Sequence, residues 1–193
     1  MKTKNIMIVG VGGQGTLLTS RILGGITLGA GFDVKLSEVH GMAQRGGSVV
    51  TFVRYGEKVY EPIVEAGQAD VLIAFEKLEA LRYAHFLKED GVIIVNNHRI
   101  DPMPVVIGSA NYPEDIIENL MEKYKVIQVD AMEEAKKLGN TRTFNIVILG
   151  VAAKHMNFTK EDWLHVIENT VPSKTVQVNK QAFEAGYNLH AGA

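Results

Sequence analysis

The sequence contains no cysteine. That excludes disulfides, thiol nucleophiles, and thiolate-held zinc or iron–sulfur clusters on this chain. Any electron transfer that it serves must run through a centre on a partner or through a diffusible cofactor. No apolar run approaches the roughly 18 residues of a membrane span. The basic start, Met1-Lys2-Thr3-Lys4, leads into an apolar stretch too short for a secretory signal, so the chain reads as cytoplasmic. The net charge is only −2, which provides no broad field for nucleic acid or anionic lipid. Gly-x-Ser-x-Gly and His-Glu-x-x-His are both missing. His40, His85, His98, His155, His165 and His190 do not fall at zinc-ligand spacing. No metal site and no catalytic set of its own is expected on this chain.

What is present is a chain of 193 residues, 46% hydrophobic and 22% charged. That is enough for one domain with a real core, and without repeats or a linker it reads as a single domain over 1–193. Short apolar runs predict strands at 6–9, 33–39, 48–54, 71–75, 91–96 and 125–129, with a short edge strand at 105–107. Tyr55-Gly56-Glu57-Lys58 reads as a hairpin turn into Val59-Tyr60, giving antiparallel pairing within an otherwise parallel sheet. Helices are predicted at 16–30, 76–87, 113–124, 131–138, 144–155, 160–169 and 176–189. Thr159 with Asp162 has the form of a capping box. Gly24, Gly25 and Gly29 each cost about 1 kcal/mol relative to alanine inside a helix, which points to close approach by another element. The alternation predicts a three-layer, Rossmann-like α/β fold.

Two segments carry the functional signal. The first is Gly10-Val11-Gly12-Gly13-Gln14-Gly15, between the first strand and the first helix. Glycines there permit a tight turn and close backbone approach, and the helix start favours an anion. This is the context of a dinucleotide fingerprint, and Glu38 stands where a ribose would be gripped. The extra Gly13-Gln14 and the polar segment after Glu38 depart from that pattern. A phosphate-loop reading lacks its lysine. A tight turn that binds nothing is also compatible.

The second segment is Glu38-Val39-His40-Gly41-Met42-Ala43-Gln44-Arg45-Gly46-Gly47-Ser48-Val49. It is too rich in glycine for a helix and too polar for a buried strand, so it reads as a functional loop. Arg45 could hold a phosphate or carboxylate bidentately. A plain solvated connection is the alternative.

These two segments at this separation resemble the gamma domain of the 2-oxoacid:ferredoxin oxidoreductases, with the indolepyruvate-type small subunits as the branch most alike. Thr143-Phe144-Asn145-Ile146-Val147-Ile148-Leu149-Gly150 and the order of elements fit as well, so the resemblance spans the chain. It implies oxidative decarboxylation of a 2-oxoacid with coenzyme A, giving acyl-CoA, carbon dioxide and reduced ferredoxin. Thiamine diphosphate, its magnesium ion and [4Fe-4S] clusters are then expected on a large partner subunit, and this chain alone would be silent. Gly10, Gly12, Gly13, Gln14 and Gly15 would meet an anionic part of coenzyme A or substrate. His40, Met42, Ala43, Gln44, Arg45, Gly46 and Gly47 would form the wall facing the large subunit. Isolated, the chain could self-associate through that surface as a homodimer. The competing readings are a stand-alone NAD(P)-binding oxidoreductase and an architectural subunit without a ligand. Asn96-Asn97-His98-Arg99 could line a site at a strand end, and Asn145 could hold a backbone group.

Overall fold

The computed structural model describes residues 2–41 and 47–189. In chain order the elements are β1 (Lys4–Val11), α1 (Thr16–Gly29), β2 (Asp33–His40), β3 (Ser48–Gly56), β4 (Ala69–Ala74), α2 (Lys77–Tyr83) and β5 (Leu87–Asn96). There follow α3 (Met103–Val106), α4 (Ile116–Met121), β6 (Lys125–Val129), α5 (Ala131–Lys137), α6 (Phe144–Ala153), α7 (Lys160–Thr170) and α8 (Val176–Asn188).

The six strands form one sheet in the order β2-β3-β1-β4-β5-β6. β1, β4, β5 and β6 run parallel; the apolar stretches of β1, β4 and β5 are buried on both faces, as parallel strands between helices must be, while β6 at the sheet edge is only partly buried. β3 runs antiparallel to both neighbours. One face of the sheet packs against α1 and α5 to α8, around Ile22, Leu23, Ile148, Trp163 and Phe183. The other face packs against α2 and α4, around Leu72, Ile93, Ala80, Ile117 and Leu120. The three-layer α/β expectation holds.

Three local expectations need correction. The antiparallel turn is not at 55–58: β3 ends at Gly56 and Val59 is outside any strand. The antiparallel partners of β3 are β2, reached through residues 41–47, and β1. The expected edge strand at 105–107 is instead the end of the short helix α3, which begins after Pro102. The fourth helix starts at Ile116 rather than 113, because Asp115 adopts a left-handed φ of 52° just before it.

The small residues act as expected at several crossings. A Cβ on Gly24 would lie 3.1 Å from Leu36, and one on Gly25 2.9 Å from Val166, whereas Gly29 faces open space. α6 is buried from Asn145 to Ala153. It crosses α8 so closely that a Cβ on Gly186 would sit 1.8 Å from the Val147 carbonyl oxygen. The Thr159–Asp162 capping box forms at the start of α7.

Candidate functional site

The helices after β1 and β4 leave the sheet on opposite faces, so the ends of these neighbouring parallel strands form a switch point, where open α/β sheets gather ligands. The glycine segment sits on one side of that crevice and Phe75-Glu76 on the other. Gly10 is still within β1; a Cβ there would lie 2.8 Å from the Gln14 amide oxygen and 3.2 Å from Phe75. Gly12 and Gly13 are exposed, and Gly13, at φ 92°, has no atom within 4 Å of the place a Cβ would take. Gly15 ends the turn at φ 89° as the N-cap of α1, and no side chain caps that helix. Its first amides and the positive end of its dipole are thus turned to the mouth.

Gln14 is buried. Its oxygen accepts from the Val11 amide at 2.7 Å and its nitrogen donates to the Phe75 carbonyl at 3.2 Å. Both ends of the amide are engaged within the protein, so this side chain braces the loop across the switch point. Asn96, also buried, donates to the same Phe75 carbonyl at 3.3 Å and accepts from the Ala131 amide at 3.2 Å. Asn145 reaches from α6, its side-chain nitrogen 3.4 Å from the Gly15 carbonyl. Asn97 and Arg99 bond Asp130 and Asp101 and lie on a separate polar cleft of about 420 Å³.

The second segment arrives by way of the β2–β3 ladder. His40 pairs with Val49, and the Gly41 amide donates to the Ser48 carbonyl at 2.7 Å. Val11 stands opposite Ser48 in the β1–β3 ladder. The Gly12 amide donates to the Gly47 carbonyl at 3.0 Å. The two glycine-bearing segments therefore meet. His40 is exposed, with its Nε2 2.7 Å from the Glu38 carboxylate. Met42, Ala43, Gln44, Arg45 and Gly46 lie outside the described residues.

Glu38 is also bonded by the Thr51 hydroxyl at 2.8 Å. Because β3 lies between β1 and β2, Glu38 is two strand spacings from β1, roughly 10 Å. A ribose grip from this carboxylate, as a nicotinamide dinucleotide requires, would need β2 directly beside β1.

Beside the Gly12–Gly47 contact lies a cleft of about 180 Å³, whose lining includes Val11, Ser48, Glu76, Glu79, Arg82 and Met103. Sequence reasoning missed its acids. Glu76 caps α2 by accepting from the Glu79 amide at 3.0 Å. It also accepts from the Ile100 amide at 3.2 Å and the Tyr112 hydroxyl at 2.5 Å. Burial and then this carboxylate push the Tyr112 phenol well above its ordinary range. Glu79 accepts a short hydrogen bond from the Ser48 hydroxyl and faces Arg82 at 3.5 Å. Burial raises the Glu79 carboxyl above the usual range, against the pull of Ser48 and Arg82 and with a push from Glu76. The available signal was two acids three apart directly after a buried strand, the pattern of a helix start.

Residues 5–189 match the family model described as pyruvate ferredoxin/flavodoxin oxidoreductase. The chain belongs to that family. It is 43% identical over 192 residues to the indolepyruvate oxidoreductase subunit IorB of Thermococcus kodakarensis, covering 96% of this chain and 95% of that one. It is thus homologous to the small subunits of indolepyruvate oxidoreductases. The gamma subunit of a keto/oxoacid ferredoxin oxidoreductase from Geobacter sulfurreducens has the same fold, with TM-score 0.71 and 24% identity over 95% of this chain and 96% of that one. A 2-oxoglutarate:ferredoxin oxidoreductase from Magnetococcus marinus, solved with 2-oxoglutarate, coenzyme A and succinyl-CoA bound, aligns with TM-score 0.75 and 20% identity. That alignment covers 97% of this chain but 31% of the other, so the family fold also occurs as one part of a longer polypeptide. The indolepyruvate relatives, and a 2-oxoglutarate synthase relative 30% identical over 190 residues, carry the names of subunits of oxidoreductases or synthases. Among the described residues, no helix is long and apolar enough to cross a membrane.

Proposed function

We propose that this chain is the cluster-free small subunit of a cytoplasmic indolepyruvate-type 2-oxoacid:ferredoxin oxidoreductase, and that its switch-point mouth receives coenzyme A. The observation that carries the reading is the Gly12–Gly47 hydrogen bond, which unites the two segments into one mouth beside an uncapped helix start. The decarboxylation and electron transfer would be supplied by thiamine diphosphate, magnesium and clusters on a large partner subunit, which then reduces ferredoxin.

The residues present fit an anionic group of coenzyme A on the α1 side. Gly12 and Gly13 offer open backbone there, and the first turn of α1 contributes its dipole. Gln14 keeps that backbone in place rather than binding the ligand itself. Glu76 and Glu79 lie in the adjacent cleft, so negative groups belong on the glycine side. Arg45, with Met42, Ala43, Gln44 and Gly46, would complete the wall toward the large subunit. In this reading the small subunit orients the thiol donor and excludes water while the partner performs the chemistry.

The test is reconstitution with the co-purifying large subunit. Arg45→Ala and Gly13→Ala are each expected to raise the KM for coenzyme A about tenfold, the order of one lost contact to a charged group. Unchanged coenzyme A kinetics in both variants would leave the chain a purely architectural subunit. Calorimetry of the isolated chain with NAD and NADP is expected to show no binding; tight binding of either would favour the stand-alone oxidoreductase.

A further inference from the structure

Of the two acids that the proposed mouth does not use directly, Glu79 is the one bonded to the β3 segment. It is buried, lies in the first turn of α2, and receives the Ser48 hydroxyl, which also lies 3.3 Å from the Tyr83 hydroxyl. Around it stand Ser48 from β3 and Glu76, Arg82 and Tyr83 from the α2 segment. Burying a carboxyl beside a second one is costly, and a position needing only a filler would be served by an apolar side chain.

Ser48 is where the two segments are joined. It is the first residue of β3, it faces the last residue of β1, and its carbonyl accepts from the Gly41 amide. The preceding residue, Gly47, accepts from the Gly12 amide. Glu79 itself is held on a fixed base, since the α2 cap Glu76 is bonded by the Glu79 and Ile100 amides and the Tyr112 hydroxyl. The path from that base runs Glu79, Ser48, Gly47, Gly12, and each link is a hydrogen bond or a peptide bond.

We infer that Glu79 is a positioning residue for the mouth, fixing Ser48 and thereby the Gly47 carbonyl against the Gly12 amide. This rests on the coenzyme A reading for its kinetic consequence, but not for its structural one. Glu79 does not touch the ligand; it determines where the glycine backbone stands when the ligand arrives.

The structural test is amide hydrogen exchange on the full chain. Glu79→Ala and Ser48→Ala are expected to speed exchange at the Gly12 and Gly41 amides about tenfold or more, while Ile8 and Ile73 in the sheet stay protected. Glu79→Gln keeps an acceptor for the Ser48 hydroxyl and should restore most of the protection. In the reconstituted complex, Glu79→Ala and Ser48→Ala should raise the KM for coenzyme A severalfold with kcat little changed, again rescued by Glu79→Gln. Unaltered exchange at Gly12 and Gly41 in Ser48→Ala would overturn the inference. So would parallel loosening of the whole sheet in Glu79→Ala with no rescue by glutamine. If the exchange result holds while Arg45→Ala, Gly13→Ala and the Glu79 variants all leave coenzyme A kinetics unchanged, the coenzyme A reading falls and the positioning role stands.

Discussion

Asn145 and Gly15 lie so close that a single added carbon would not fit between them: a Cβ on Gly15 would be 2.3 Å from the Asn145 side-chain nitrogen. A residue of the buried helix α6 thereby sets the floor of the glycine turn, and core packing and the mouth share one contact.

Gly15→Ala should accordingly be costly on two counts. Its φ of 89° is left-handed, and the new methyl meets Asn145. The expected loss is about 2–4 kcal/mol, which in a domain of this size lowers Tm by roughly 5–15 °C. Adding Asn145→Ala should recover the steric part and leave the backbone part. Thermal or urea unfolding of the three proteins checks this; a Gly15→Ala variant as stable as the parent would refute the left-handed turn.

Gln14→Ala strips two partners at once, leaving the Val11 amide and part of the Phe75 carbonyl capacity unmet. A loss of about 1–3 kcal/mol is expected, readable by urea denaturation. Because the Phe75 carbonyl keeps its bond from Asn96, Gln14→Ala with Asn96→Ala should cost more than the sum of the single changes.

Stability should depend on pH in opposite senses at two carboxyls. Burial alone would raise Asp70, but the hydrogen bonds from Lys88, the Asn5 amide and Lys4 outweigh it and hold its carboxyl below the usual range. Its contribution is therefore present above the ordinary aspartate range and lost as pH falls through the lowered value. Glu79 is raised chiefly by burial, so its favourable share is present in acid and is lost as pH rises through the raised value. Asp70→Asn should destabilise most at neutral pH and match the parent in strong acid. Glu79→Gln should gain on the parent as pH rises above the ordinary glutamate range. Urea midpoints taken across pH 3 to pH 8 (roughly the span in which carboxyls titrate) would test both slopes; slopes of the same sign would contradict the assignment.

Much of the frame was legible because burial writes itself into composition. Ile6-Met7-Ile8-Val9 before glycines, and the almost wholly apolar run from Ile146 to Ala153, admit few alternatives. The lateral order of strands was not legible. Tyr55-Gly56-Glu57-Lys58 has turn chemistry, yet the antiparallel ladders are set by which surfaces pack, and β3 pairs backward to β2 and across to β1. Val105-Val106-Ile107 has strand propensity, but Pro102 and the lack of a partner strand leave it to one helical turn. In the site, the glycine segment was visible from its backbone demands. Glu76 and Glu79 were hidden because acids at a helix start usually need only solvent and dipole, and only the fold shows them turned inward.

The reversed strand has one more implication. Because β3 runs beside β1 in strict alternation, the ladder works as a ruler for the mouth. Sliding β3 by two residues would carry Gly47 about 7 Å along β1 and take its carbonyl away from the Gly12 amide. Sliding it by one would bring Phe52 to the wrong side of the sheet. The accuracy of the opening is thus inherited from side-chain fit far inside the protein.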